Sequence, residues 1–222
     1  MILKNDFEKY AITHKSPERV ADFFIKKINE LIDFKKEDNR KIKVLDFGCG
    51  DGRHLSYLSN FLPIDNLFGA EVSEIRCERV RNKGFNCELI KSCVTGYPSE
   101  SFDLILFLEV IEHVSSHDIL EVMSEIKRLL KKGGVLMLTT PNYPIKRLYD
   151  IKNGLRQRDF KKIFHDHPTH VTFYNFNRLD RLLRRYFESV SLSPTRVMLE
   201  DKITFLKKSR ILSHKIFGVC IK

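Results

Sequence analysis

Lys43-Val44-Leu45-Asp46-Phe47-Gly48-Cys49-Gly50-Asp51-Gly52 decides the fold. A short apolar run carries one acid and then breaks into three glycines at alternate positions. Leu55, Leu58 and Phe61 follow at helical spacing. The pattern predicts a strand, a tight loop and a helix. Glycine lacks a Cβ, so such a loop brings its backbone close to a ligand.

Outward from that stretch the chain alternates. Strands are expected at 43–47, 66–71, 86–91, 102–108 and 134–140, and helices at 52–61, 73–83 and 117–131. Lys131-Lys132-Gly133-Gly134 reads as a helix end, with positive charge and glycine where the dipole and the C-cap favour them. Strands alternating with helices predict an α/β fold: a Rossmann-like, doubly wound sheet with helices on both faces. Two final strands, 188–193 and 215–221, complete a seven-stranded sheet, mostly parallel with an antiparallel last strand.

One domain is expected over residues 1–222. Residues 1–40 form an N-terminal arm and a lid helix, the helix opening at Ser16-Pro17 with serine as N-cap. Residues 41–142 form the cofactor-binding core, 143–175 an insert with a short helix near 145–153, and 176–222 a helix capped by Asn175 and the last strands. Residues 1–15 show no clear period and are expected to be a mobile arm.

Composition limits the classes. The charged and apolar content is that of a globular protein, and no apolar run reaches membrane-span length. Met1 to Tyr10 carries Lys4, Asp6, Glu8 and Lys9, unlike a signal peptide. Five scattered cysteines without a CxxC pair fit free thiols and a cytoplasmic protein. The formal charge of +10 is uneven: residues 1–145 hold 21 Lys and Arg against 22 Asp and Glu, while residues 146–222 hold 18 against 7. The basic last third is either a solvated surface or the footprint of an anionic partner: a small acidic substrate, RNA, or a membrane surface touched peripherally.

The glycine spacing excludes two ligands. Position 53 is arginine where a GxGxxG dinucleotide loop needs glycine, and there is no GxxxxGK[ST]. Asp46 and Asp51 flank the loop and would repel a pyrophosphate, but suit a ligand bearing an ammonium and a sulfonium. Glu71 ends the second strand, where a carboxylate accepts two ribose hydroxyls.

VLDFGCGDG, the GAEVS around Glu71, SFDLILFLEVIEHV and GGVLMLTTPN together resemble the class I S-adenosylmethionine-dependent methyltransferases, of the type 11 and type 23 kind. The resemblance implies that Asp46, Gly48, Gly50 and Gly52 surround the methionine part of S-adenosylmethionine, that Glu71 binds its ribose, and that Leu108 adds backbone contacts. The family's adenine-binding Asp is replaced by Cys93, so backbone groups of Cys93 and Val94 are expected there. Cys49 reads as a small packing residue.

Glu109-Val110-Ile111-Glu112-His113 follows the fourth strand. If it turns helically, two carboxylates and an imidazole share a face and could hold Mg or another divalent cation. His113 could instead act as a general base, or the segment could simply cap the next helix. The TPNY-insert-histidine-aromatic-strand order resembles the ubiquinone-biosynthesis O-methyltransferases and, more distantly, the small-RNA 3′-terminal 2′-O-methyltransferases. That resemblance implies metal ligands at Glu109, Glu112, His113 and His170, with His113 and His170 catalytic. His170 matches better than His165 or His167. The expected activity is methyl transfer to a hydroxyl of a small anionic or membrane-associated molecule. The alternatives are metal-dependent 2′-O-methylation of an RNA 3′ end, and a cofactor-binding module without turnover.

Overall fold

A computed structural model describes residues 4–15, 18–32, 41–158, 169–197, 210 and 213–222. Seven strands form the sheet: β1 (Val44–Phe47), β2 (Leu67–Glu71), β3 (Asn86–Leu89), β4 (Phe102–Leu108), β5 (Leu130–Pro141), β6 (Ser189–Val197) and β7 (Ser213–Ile221), in the order β3-β2-β1-β4-β5-β7-β6. β1 runs parallel to β2 and β4, and β2 parallel to β3. β7 runs antiparallel to β6. It also runs antiparallel to β5: the chain end at Lys222 pairs with Gly133 and Gly134, while His214 pairs with Asn142. The expected sheet, with its antiparallel last strand, is the one observed.

Strand order reverses between β1 and β4, where open α/β sheets bind ligands beyond the strand ends. β1 is buried at all four positions because both its neighbours are strands.

The helices are α1 (Lys4–Thr13), α2 (Asp22–Leu31), α3 (Arg53–Leu58), α4 (Glu74–Arg81), α5 (Ile119–Leu129), α6 (Ile145–Gln157) and α7 (Phe176–Leu183). Backbone contacts divide the chain into two compact units. One comprises Met1–Phe107, Glu121–Leu136 and Lys222; the other comprises Leu108–Leu120 and Met137–Ile221.

Several expectations change. The N-terminal arm is largely the helix α1, whose Glu8 accepts hydrogen bonds from Ser73 Oγ (3.0 Å) and the Glu74 N–H (2.5 Å). A carboxylate at the first turn of α4 suits the helix dipole, and it ties α1 down from outside. The helix expected to open at Ser16 starts instead at Asp22, after an uncapped Ala21; Ser16 and Pro17 lie outside the described residues. α5 ends at Leu129, because Lys131 to Gly134 belong to β5. There Gly133 takes a positive φ of 72° and its N–H donates to the Lys222 carbonyl. The insert helix runs to Gln157, beyond the expected 153. Asn175 caps α7 as expected, accepting from the Arg178 N–H at 2.9 Å.

Gly69 in β2 shows how tightly the sheet packs beside the glycine loop. A Cβ there would meet Cys49 Sγ at 2.9 Å and Cys87 Sγ at 3.2 Å. Gly69→Ala is expected to destabilise the fold by about 1–3 kcal/mol, read as a lower urea midpoint with an unchanged slope.

Candidate active site

The loop after β1 is built from backbone. Gly48, Gly50 and Gly52 have φ of 82°, 56° and 77°, a region that costs an L-residue about 1–2 kcal/mol each. Gly52 opens α3. The Gly48 and Cys49 N–H groups donate to the Ala70 carbonyl at 2.7 and 3.2 Å. The Gly50 N–H donates to Glu71 Oε2 at 2.7 Å, while the Val72 and Ser73 N–H groups donate to Oε1. Burial pushes the Glu71 carboxyl up, and these three N–H groups oppose the shift. Sequence reasoning missed this role, since nothing local to Glu71 or Gly50 signals a bond across 21 residues.

Asp46 is 1% exposed, and its Oδ2 has no hydrogen-bond partner; His54 Nδ1 stands 3.4 Å away. Asp51 differs from expectation. Its carboxylate pairs with Arg79 at 3.0 Å, whereas Asp46 keeps an oxygen without a hydrogen-bond partner. Cys49 packs its Sγ 3.8 Å from Cys87 Sγ, as a small core residue.

Cys93 is half-buried and Val94 is 45% exposed, on a bend whose Val94 N–H reaches Ser92 Oγ. The bend is anchored just beyond, where buried Glu125 accepts from the Thr95 N–H and hydroxyl at 2.8 and 2.7 Å. Arg128 pairs with Glu125 and donates to the Tyr97 carbonyl at 2.8 Å. Leu108, the last residue of β4, is half-buried.

The second unit carries the acid-histidine group. Ile111–His113 is a single 3-10 turn, not an α-helix, and Glu109 before it has a positive φ of 58°. That backbone turns Glu109 toward Lys215 of β7, whose Nζ lies 2.5 Å from Oε2; Glu109 Oε1 is buried without a hydrogen-bond partner. Glu112, His113 and His170 do come together, with one ligand atom of each within 4.8 Å of the others. Glu109 stands outside that trio.

Backbone stitching delivers His170. The Val171 and Thr172 N–H groups donate to the Glu112 carbonyl at 2.9 and 3.1 Å, and the Thr172 hydroxyl to the Val114 carbonyl at 2.7 Å. The His113 and His170 ring centroids are 4.9 Å apart. His113 Nδ1 lies 2.9 Å from the Thr169 carbonyl, which only accepts, so Nδ1 is the donor of that bond. His170 Nδ1 pairs with the Tyr143 hydroxyl at 2.9 Å. Such partners orient imidazoles that ligate metals. Burial, and then the Glu109 charge, push the Glu112 carboxyl well above the usual range, while the Thr140 hydroxyl at 3.1 Å opposes the shift. His165 and His167 lie outside the described residues.

Residues 15–188 match the family model described as a methyltransferase domain. The chain belongs to that family. The methyltransferase domain is 28% identical over 148 residues to a small RNA 2′-O-methyltransferase of Schizosaccharomyces pombe, covering 58% of this chain and 39% of that protein. It is 29% identical over 133 residues to a ubiquinone biosynthesis O-methyltransferase of Pelagibacter ubique, covering 54% of this chain and 52% of that one. The chain thus spans about half or less of the length of these curated relatives. A solved SAM-dependent methyltransferase from Archaeoglobus fulgidus shares the fold, with a TM-score of 0.65, 16% identity, and coverage of 99% and 100% of the two chains.

In this methyltransferase domain the loop residues fit S-adenosylmethionine. The buried, unpartnered Asp46 Oδ2 suits an ammonium group, and the left-handed glycines leave no Cβ between backbone and ligand. Asp46→Asn and Glu71→Gln are each expected to weaken S-adenosylmethionine binding at least tenfold by calorimetry, with near-native melting temperatures. Unchanged affinity in both variants would dissociate these acids from the cofactor.

Proposed function

We propose that the protein is an S-adenosylmethionine-dependent methyltransferase acting on a hydroxyl of a small anionic or membrane-associated molecule. The observation that carries the hydroxyl assignment is the convergence of Glu112, His113 and His170. The cofactor, when bound, supplies an electrophilic methyl carbon on a sulfonium. The chain's part is to hold the acceptor in line, take its proton and exclude water.

Glu112, His113 and His170 would hold a divalent cation. Such a cation lowers the pKa of a coordinated hydroxyl. Two imidazoles and a carboxylate are a donor set suited to Mn, Co or Zn, and Mg is served less well by nitrogen. With Nδ1 of His113 turned to the Thr169 carbonyl, Nε2 would either ligate the cation or, without one, take the acceptor's proton. Thr140 and the backbone of residues 171–172 hold Glu112 in place. The excess of Lys and Arg in residues 146–222 supports an anionic acceptor. Among the described residues no helix is long and apolar enough to cross a membrane.

A second reading, 2′-O-methylation at an RNA 3′ end, draws support from the match to the Schizosaccharomyces pombe protein, which is named a small RNA 2′-O-methyltransferase. A terminal ribose offers two vicinal hydroxyls to a single cation. Steeply salt-dependent binding to single-stranded RNA would select it.

A labelled-methyl transfer screen across phenolic quinol precursors, nucleotide sugars, fatty acids and RNA 3′ ends tests these readings. Transfer to a hydroxyl is expected, falling at least tenfold with a chelator and returning with Mn or Co more fully than with Mg. His170→Ala and Glu112→Gln are expected to lower it about 10–100-fold. Chelator-insensitive transfer would remove the cation. Transfer only to nitrogen or carbon acceptors would overturn the hydroxyl assignment, and cofactor binding without any transfer would leave a non-catalytic module.

A further inference from the structure

We propose that Arg79 is a positioning residue for the cofactor loop, and that through it α1 docks on α4 in step with occupancy of that loop. The inference rests on the cofactor reading above.

α4 and Lys83, two residues past it, grip the loop at three points. Arg79 Nη1 donates to Asp51 Oδ1 at 3.0 Å. Lys83 Nζ donates to the Asp51 carbonyl at 2.7 Å. Val80 presses so closely on Gly52 that a Cβ there would lie 3.1 Å from its Cγ2. The side chain, carbonyl and following residue of Asp51 are therefore all set by one short stretch of chain.

The same helix holds α1. Glu8 accepts from Ser73 and Glu74 at its start, the Arg76 guanidinium lies 5.4 Å from the Tyr10 ring centroid, and Arg79 Nη1 donates to the Ala11 carbonyl at 3.1 Å. Ser73 and Glu74 follow Glu71 by two and three residues, so α1 also abuts the segment that ends in the proposed ribose ligand.

One nitrogen of Arg79 thus touches both α1 and the loop. The Arg79 side chain is 28% exposed and that of Asp51 is 11% exposed, so the pair is partly shielded from water and less screened than a surface ion pair. Truncating Arg79 removes an ion-pair partner from a nearly buried carboxylate that lies between two glycines. A ligand that orders the loop fixes Asp51, which fixes Arg79, which fixes the carbonyl at the end of α1. By reciprocity, docking of α1 favours the ligand-ready loop.

The test is a double-mutant cycle on the full chain, with S-adenosylmethionine and S-adenosylhomocysteine affinities read by calorimetry. Arg79→Ala and Asp51→Ala are each expected to weaken both ligands about three- to tenfold, and the double variant no further than the weaker single variant. Arg79→Lys is expected to recover part of the loss. Hydrogen exchange adds a readout that a merely structural arginine would not move. S-adenosylhomocysteine should slow exchange in α1 of the wild type and not of Arg79→Ala. If Arg79→Ala does not fold, Arg79→Lys and Asp51→Asn carry the comparison. Additive or absent effects, or an α1 indifferent to ligand in the wild type, would overturn the inference alone. A wild type that binds neither ligand would overturn the cofactor reading and this inference with it.

Discussion

Glu71 is 5% exposed at the end of β2, and three backbone N–H groups, from Gly50, Val72 and Ser73, point at its carboxylate. Hydrogen bonds to a charged acceptor contribute about 1.5–3 kcal/mol each. They offset the cost of burying the charge, a cost visible in the upward push on its carboxyl. The Gly50 bond closes the loop onto β2, and the Ser73 bond fixes the start of α4. From there Arg79, Val80 and Lys83 reach back to Asp51 and Gly52. The loop, the end of β2 and α4 are thus mutually constrained, and Asp46 is left as the buried acid with an unpartnered oxygen.

The second unit builds its group differently. No single carboxylate organises it; main-chain bonds lace residues 171–174 to Glu112 and Tyr143, and the Thr172 hydroxyl ties in Val114. They set His170 against His113 across 56 intervening residues, mostly through the main chain. The imidazoles and Glu112 keep their ligand atoms within 4.8 Å of one another. A trio held by backbone does not lose its geometry when one member is replaced, so the effect of His170→Ala on transfer reports chemistry more than folding.

The β-α alternation was legible because it rests on local signals: apolar periodicity, glycine at the loop and asparagine before α7. Spacing alone also excluded the phosphate binders. The misreadings share a cause, which is a distant partner overriding a local signal. Lys131 to Gly134 carry the marks of a helix end, yet they join β5 because Lys222 pairs with them. α1 has no clear period, and is fixed by Glu8 binding α4 across 65 residues. Glu109 would share a face with Glu112 and His113 only if the segment turned helically, and Ile111–His113 forms a single 3-10 turn instead. The left-handed backbone of Glu109 and the Lys215 ion pair, 106 residues away, direct it elsewhere. The resemblance pointed to Glu109, Glu112, His113 and His170; the last three come together through bonds that no spacing reveals.

The central claim is that the loop latched by Glu71 is a cradle for S-adenosylmethionine. Amide resonances of the wild-type protein, titrated separately with S-adenosylhomocysteine, NAD and ATP, test it most directly. Saturable shifts are expected at Gly48, Gly50, Gly52 and Val72–Ser73 with S-adenosylhomocysteine and none there with the other two. Shifts confined to residues outside the loop, or the same shifts with NAD, would contradict it.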